Sequence, residues 1–149
     1  MIDLKALVLY HSGGGNTSLM AEAVAEGLRD KGAEVTLWNT KQGSFDIARY
    51  PEYDCLAVGS PDYFSYVAGG LKTFMDDWYI HRAVPGMKDK PIVLFYSHGG
   101  GGAVKEPMED LFRHLGTQVG ATVGVYGRPN AKILEVCREL GRKLVAATK

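Results

Sequence analysis

The chain of 149 residues lacks the features of several specialised protein classes. Its two cysteines, Cys55 and Cys137, lie far apart in apolar stretches and match no metal-ligand spacing, so we expect buried free thiols and a reducing compartment. No apolar run approaches the roughly 20 residues needed to span a bilayer. Met1 leads into a strand-like run with no basic leader and no cleavage site. Together these absences predict a cytoplasmic protein without a membrane span.

The sequence also lacks an excess of either charge. Lys and Arg together number 17, Asp and Glu together number 17, and the formal net charge is zero. Binding to nucleic-acid phosphates usually requires a basic surplus, so we expect no nucleic-acid partner. The length, the absence of repeats and the absence of a linker predict one domain, residues 1–149.

What the sequence does contain is a series of short apolar runs separated mostly by helical patterns. The runs are residues 6–10, 35–38, 56–59, 92–96 and 121–126. Four apolar stripes at helical spacing accompany them, formed by Leu19, Met20, Ala23, Val24 and Leu28, by Leu71, Phe74, Met75 and Trp78, by Met108, Leu111 and Leu115, and by Ile133, Val136, Cys137, Leu140 and Leu144. We expect Asn16 or Thr17 to cap the first helix and Gly32 to end it.

Strands that alternate with helices predict right-handed crossovers and a parallel sheet. The second run alternates apolar and polar residues, which suits an edge strand, whereas residues 41–54 fit no regular pattern. We therefore predict a three-layer α/β fold with a doubly wound, five-stranded parallel sheet in the order 2-1-3-4-5. Ligands of such a sheet bind at the carboxyl ends of the strands, between strands 1 and 3. The loops after strands 1, 3 and 4 are therefore the candidate site.

The loop after strand 1 contains three consecutive glycines, Gly13 to Gly15, followed by a predicted helix. Glycines allow the backbone to approach a ligand, and the first amides of a helix favour an anion. The loop has no Lys or Arg, so a phosphate would be held by neutral donors. The Walker lysine is absent, and Ser18 stands where the dinucleotide fingerprint needs a glycine. An Asp at the end of strand 3, as in a response regulator, is also absent. An ordinary glycine-rich turn is the alternative.

Residues 12–17 resemble the phosphate loop of the flavodoxin family, with Gly14 in place of the family's middle threonine. The resemblance extends over nearly the whole chain and implies a flavodoxin-like fold and an FMN cofactor. It also implies cofactor contacts from the first loop, at His11, Ser12, Gly13, Gly14, Gly15, Asn16, Thr17 and Ser18.

The loop after strand 3 carries three aromatic residues, Tyr63, Phe64 and Tyr66, that serve no periodic core. Stacking on a flat heteroaromatic ligand would explain them, and packing on neighbouring helices or in a subunit interface is the alternative. The segment from Gly59 to Asp76 resembles the signature of NAD(P)H-dependent FMN reductases and flavodoxin-like quinone reductases. That resemblance implies cofactor contacts from Ser60, Pro61, Asp62, Tyr63 and Phe64.

The loop after strand 4 begins with Ser97 and His98 and continues with four glycines, Gly99, Gly100, Gly101 and Gly102. The backbone N–H groups of these glycines are not covered by side chains and could donate hydrogen bonds to the carbonyl-rich edge of a flavin; the reductase-like relatives have a similar loop here. A mobile surface loop is the alternative. His98 is the one titratable side chain of this loop and the candidate catalytic residue. A donor at the N1–O2 edge of a flavin would favour its anionic reduced form. A loop histidine that is merely hydrogen-bonded is the alternative.

Two classes of function are open. The first is an NAD(P)H-dependent oxidoreductase that reduces a quinone or another small acceptor, and the second is an electron carrier that docks redox proteins. The neutral charge and the lack of a stacking aromatic after strand 4 favour the enzyme, because carriers are typically acidic around the flavin. The short chain favours the carrier, because family quinone reductases tend to be longer and oligomeric. Trp78, Tyr79, His81 and Arg82 could form a homo-oligomer interface or pack within their own domain.

Overall fold

The computed structural model describes residues 4–148, so Met1 and the leader prediction that involves it lie outside the described residues. The strands are β1 (Lys5–Tyr10), β2 (Glu34–Asn39), β3 (Cys55–Pro61), β4 (Ile92–His98) and β5 (Val123–Tyr126). They form one parallel sheet in the order β2-β1-β3-β4-β5. The predicted order, the parallel sheet and the edge position of the second strand are confirmed.

Four helices cover the two faces of this sheet. They are α1 (Asn16–Asp30), α2 (Gly69–His81), α3 (Lys105–Phe112) and α4 (Ala131–Ala147). Alternate residues of each strand enter opposite cores: Val8 packs with α1 and α4, whereas Leu7 and Leu9 pack with α2 and α3. This confirms the three-layer arrangement. The unassigned residues 41–54 contain much of two 3-10 segments, Thr40–Gln42 and Ile47–Glu52, and a third, Arg113–Leu115, follows α3.

The C-terminal end of α1 was predicted correctly, whereas its N-terminal cap was not. Gly32 has φ +89° and its N–H donates to the carbonyl of Arg29 over 2.9 Å, which confirms it as the residue that ends the helix. The predicted cap at Asn16 or Thr17 is wrong. The N-cap is Gly15, which has φ +102°, a left-handed conformation that glycine adopts without penalty.

Helices α1 and α4 cross with their backbones in close contact at Gly27 and Gly141. A Cβ at Gly27 would overlap the carbonyl of Arg138, and a Cβ at Gly141 would overlap the carbonyl of Val24. Ion pairs join the same helices around the crossing, with 2.7 Å between Arg138 Nε and Glu26 Oε1. Val136, predicted in the apolar stripe of α4, is instead 41% exposed.

The end of α2 packs inside its own domain at Trp78, whose indole N–H donates to the carbonyl of Met87 over 2.7 Å. Tyr79 stays on the surface, where the guanidinium of Arg82 lies 3.8 Å from the centre of its ring. Both cysteines are buried and unpaired, as predicted, and burial raises the pKa of Cys55 to about 11 and that of Cys137 to about 12. None of the helices in residues 4–148 has the length and apolar character to cross a bilayer.

Candidate functional site

The carboxyl ends of β1, β3 and β4 open onto a cavity of about 240 Å³. The predicted residues that line it come from all of the candidate loops; they are Ser12, Gly13, Gly14, Gly15, Asn16, Thr17, Pro61, Asp62, Tyr63, Ser97, His98 and Gly99. Gly127, which follows β5, also lines it and was not predicted. No Lys or Arg lies among the residues that line this cavity.

The other predicted site residues do not line this cavity; they are His11, Ser18, Ser60, Phe64, Gly100, Gly101 and Gly102. Ser60 is fully buried, where its hydroxyl donates to the carbonyl of Pro61 over 2.6 Å and accepts from the N–H of Ala68 over 3.1 Å. Its side chain therefore closes the loop after β3.

The loop between β1 and α1 (residues 11–15) folds around the hydroxyl of Ser12. This hydroxyl accepts the N–H groups of Gly15 over 3.1 Å and of Ser18 over 3.2 Å. The N–H groups of Gly13, Gly14, Asn16 and Thr17 find no protein acceptor within residues 4–148, and a Cβ at Gly14 would meet nothing within 4 Å. Free N–H groups at a helix N-terminus form an anion site that needs no cation.

A buried hydrogen bond ties the start of α1 to the end of β4 beneath the cavity. The hydroxyls of Thr17 and Ser97 are 2.8 Å apart and the two residues are 2% and 5% exposed. Because these elements supply two of the walls, the bond fixes the distance between the β1–α1 loop and the β4 loop.

The end of β2 holds the β1–α1 loop through contacts that the sequence analysis missed. The side-chain amide of Asn39 donates to the carbonyl of Ser12 and its oxygen accepts the N–H of Ser12, both over 3.1 Å. The next residue, Thr40, has its hydroxyl 2.9 Å from His11 Nδ1. The available signal was the strand register, which pairs Tyr10 with Asn39 and so brings the following residues side by side.

The aromatic residues after β3 form a tight hairpin (residues 62–66) in which each ring has a different environment. Tyr63 and Tyr66 exchange backbone hydrogen bonds of 3.1 and 3.0 Å, with Phe64 and Ser65 at the tip in the left-handed conformation. Tyr63 lines the cavity, Tyr66 packs against the core beneath α2, and Phe64 is fully exposed. The prediction of a ligand-stacking surface thus concerns Tyr63 in this structure.

His11 supports the ring of Tyr63 from outside the cavity. The two rings meet edge to face, with centroids 5.8 Å apart and planes at 75°. Burial, and to a smaller extent the charge of Lys41, lowers the pKa of His11 below its ordinary value of 6.5, so its imidazole is neutral at pH 7. A neutral ring suits both the bond to Thr40 and the contact with Tyr63.

The β4–α3 loop (residues 99–104) surrounds His98. Its imidazole lies near the rings of Tyr96 and Tyr126, at centroid distances of 5.9 and 5.6 Å, and a Cβ at Gly102 would lie 3.3 Å from its Nε2. Within the described residues, His98 Nδ1 is buried and has no hydrogen-bond partner. A buried polar atom without a partner is costly, which is a reason to expect a ligand partner there.

The chemistry of the cavity fits FMN. Neutral N–H donors at the start of α1 suit a phosphate, the ring of Tyr63 suits a planar heterocycle, and the unpartnered Nδ1 of His98 suits a polar ring edge. The absence of a lining cation is compatible with this ligand, because helix and loop amides supply the positive electrostatic potential.

The sequence and the fold resemble those of known flavin proteins. The flavodoxin family model matches residues 8–141. The chain is 35% identical to a flavodoxin of Aquifex aeolicus, over 94% of this chain and 84% of that protein. It is 28% identical to a coenzyme F420H(2) oxidase of Methanothermobacter marburgensis over 98% of this chain, and it spans only 36% of that relative's length. A flavodoxin from the domain Archaea superposes with a TM-score of 0.84 at 26% identity, covering 96% of this chain and 97% of that one.

Proposed function

The chain belongs to the flavodoxin family, and we propose that it binds one FMN in the cavity at the carboxyl edge of its sheet and acts as an NAD(P)H-dependent oxidoreductase that reduces a quinone or a similar small acceptor. The family implies a flavin-binding redox protein. FMN, when bound, supplies the transfer of electrons singly or in pairs, and the protein supplies position and electrostatics.

Different residues of the cavity are proposed to bind different parts of FMN. In this proposal the free N–H groups of the β1–α1 loop and the first turn of α1 bind the phosphate. Pro61, Asp62 and Tyr63 line the ribityl chain and one side of the ring. His98 offers its unpartnered Nδ1 to the polar edge of the ring.

The open ring side of the cavity is the observation that carries the enzymatic proposal. No aromatic side chain from residues 99–104 lines the cavity, and Phe64 points outward into solvent. Asp62 is the only carboxylate in the lining, and it lies 3.4 Å from the N–H of Val104, a long hydrogen bond. A rim with so little negative charge does not repel an anionic nucleotide, and an uncovered ring leaves space for a second planar reactant.

An anaerobic titration of the FMN-loaded protein with NADH and with NADPH tests this proposal. Stoichiometric bleaching of the flavin band near about 450 nm, faster than for free FMN in the same buffer, is the expected result. A quinone added afterwards should restore the band. If neither nucleotide bleaches the band, the protein is not a nicotinamide-dependent reductase.

A flavodoxin-type electron carrier that docks redox proteins is the second candidate. It is favoured by the near-complete coverage of the Aquifex aeolicus flavodoxin and of the archaeal flavodoxin structure. A carrier would show no reaction with either nucleotide and two separate one-electron steps in a potentiometric titration. An enzyme that takes up electron pairs would show one two-electron step.

A further inference from the structure

Two consecutive residues at the end of β2 reach the two ends of the cavity by separate routes. Neither Asn39 nor Thr40 lines the cavity. Asn39 holds the backbone of Ser12 at both its N–H and its carbonyl, and Thr40 holds the ring of His11. Asn39 Oδ1 also accepts the N–H of Lys41 over 3.0 Å, in the 3-10 segment that begins at Thr40. Apart from this bond, Asn39 and Thr40 contact different parts of the site.

The Asn39 route ends at the amides of the β1–α1 loop. With its backbone fixed by Asn39, Ser12 places its hydroxyl where it accepts from Gly15 and Ser18. Those two bonds fix the conformation of the backbone from Ser12 to Ser18. They therefore also fix the direction of the free N–H groups of Gly14 and Asn16 within it. This route therefore concerns chiefly the phosphate of FMN.

The Thr40 route ends at the aromatic wall. Thr40 is 8% exposed and confined by α2, since a Cβ at Gly70 would approach its hydroxyl to 2.5 Å. It fixes His11, whose ring meets the edge of Tyr63. The hydroxyl of Tyr63 would in turn lie 3.6 Å from a Cβ at Gly13, so the ring spans the gap between the hairpin and the β1–α1 loop.

We propose that Asn39 and Thr40 are positioning residues for the flavin site, Asn39 chiefly for the phosphate end through Ser12 and Thr40 for the ring end through His11 and Tyr63. The inference rests on the proposed FMN binding. It assigns His11, which the sequence analysis placed against the cofactor, to a supporting position behind Tyr63.

Binding of FMN and of riboflavin separates the two routes, because the two ligands share the ring and the ribityl chain and differ in the phosphate. Asn39→Ala should weaken FMN binding roughly tenfold, because both bonds to Ser12 are lost together with the bond to Lys41 N–H, and should change riboflavin binding less than about twofold. Thr40→Val, which is nearly isosteric, should weaken both ligands by the same factor of about three to ten and leave their affinity ratio unchanged. Dissociation constants from quenching of flavin fluorescence measure both.

Three further variants serve as controls. Asn130→Ala removes another asparagine side chain, which accepts the N–H of Ile133 at the start of α4, and should lower the stability without changing either affinity. His11→Phe keeps a ring against Tyr63 and loses the bond to Thr40, so it should not add to the effect of Thr40→Val. Asn39→Asp keeps the acceptor for Ser12 N–H, loses the donor to the Ser12 carbonyl and adds a negative charge, so it should also weaken FMN more than riboflavin; it carries the same test if Asn39→Ala does not fold.

The outcomes are distinct. If the wild-type protein binds neither flavin, the proposed function is wrong and this inference with it. If the wild-type protein binds both, and Asn39→Ala weakens both equally or Thr40→Val changes their ratio, this division of positioning between Asn39 and Thr40 is wrong while the proposed function stands.

Discussion

In the proposed complex, the phosphate of FMN meets one side of the cavity and its ring the other, and these two sides, called here the phosphate side and the ring side, are built differently. The phosphate side (residues 11–18) is fixed from outside itself, by Asn39 of β2 and by the buried bond from Thr17 to Ser97 of β4. The ring side (residues 62–66 and 99–102) contains turns that are closed within themselves, a hairpin closed by its own backbone and a glycine loop closed by a bond from Gly102 N–H to the Gly100 carbonyl. Its links to other elements include the bond from Asp62 N–H to the Ser97 carbonyl and the contact of Tyr63 with His11. A preorganised region loses little entropy when a ligand binds. Affinity should therefore come mostly from the phosphate side, and reactivity from the ring side.

Replacement of Gly15 by valine would break this comparison most strongly. At φ +102° a β-branched residue is strained by about 1–2 kcal/mol, so the loop should relax in the free protein, and restoring its conformation on binding would weaken the affinity roughly tenfold; the valine side chain would also stand in the cavity. We expect no FMN in the purified Gly15→Val protein, measured from its absorbance spectrum. Gly43→Val is the matched control, because Gly43 has φ +134° in a loop that does not line the cavity. Full FMN occupancy in Gly15→Val would show that the phosphate lies elsewhere.

Removal of the Thr17 hydroxyl tests whether the phosphate side depends on β4. Thr17→Val leaves the buried hydroxyl of Ser97 unpaired and should lower the free energy of unfolding by about 1–3 kcal/mol, measured by urea denaturation. FMN binding should weaken by a factor of about three to ten, because the start of α1 is no longer tied to β4. The double variant with Ser97→Ala should regain part of the stability, since no unpaired group remains. An unchanged unfolding midpoint would contradict the role of this bond.

Loss of the His98 imidazole tests the ring side. His98→Ala removes a donor at the polar edge of the ring and should lower the two-electron potential of the bound flavin by roughly 30 mV, the equivalent of about 1.4 kcal/mol. Spectroelectrochemistry measures the shift. His114→Ala is the control, because His114 is exposed and bonded to the carbonyl of Leu111 away from the cavity. An equal potential in wild type and His98→Ala would exclude His98 from tuning the flavin.

The smallest effect should come from the tip of the hairpin. Phe64 is fully exposed, so Phe64→Ala should change the unfolding free energy by less than about 0.5 kcal/mol and the FMN affinity by less than about twofold. Tyr63→Ala, one residue away, should weaken FMN binding by a factor of about three to ten, because that ring lines the cavity. Equal losses in the two variants would mean that Phe64 turns into the site when flavin binds.

Much of the fold could be predicted from the sequence because apolar periodicity reports burial directly. The five runs and the helical stripes meet this condition, and the five strands follow from them. Residues 41–54 have no such apolar periodicity, because their turns are stabilised by side-chain caps such as the bond from Ala48 N–H to the Asp46 carboxylate. Glycines with a packing role could not be predicted from the local sequence either, because the requirement for glycine at position 27 depends on where the backbone of Arg138 lies.

The candidate site could be predicted as a set of loops, and less well as a set of contacts. Glycines and hydroxyls after β1, β3 and β4 marked the cavity correctly in position, although their contacts with a flavin stay a prediction. Asn39 was not among the residues predicted for the site. Its contact with Ser12 arises from the pairing of β1 with β2, which a local motif does not contain. Gly127 was missed for the same reason, as it enters the site through its bond to the carbonyl of His98.

The close crossing of α1 and α4 has a consequence for the timing of assembly. The β1–α1 loop precedes α1 directly. The close contact at Gly27 and Gly141 that holds α1 in place, however, forms only when α4, the last helix of the described residues, is present. At roughly 5 to 20 residues per second, a ribosome finishes α4 several seconds after α1. The nascent chain therefore passes through a stage in which the β1–α1 loop has been synthesised but α1 does not yet pack against α4. We expect cofactor loading to follow synthesis of α4, so that nascent chains stalled before it would emerge without flavin.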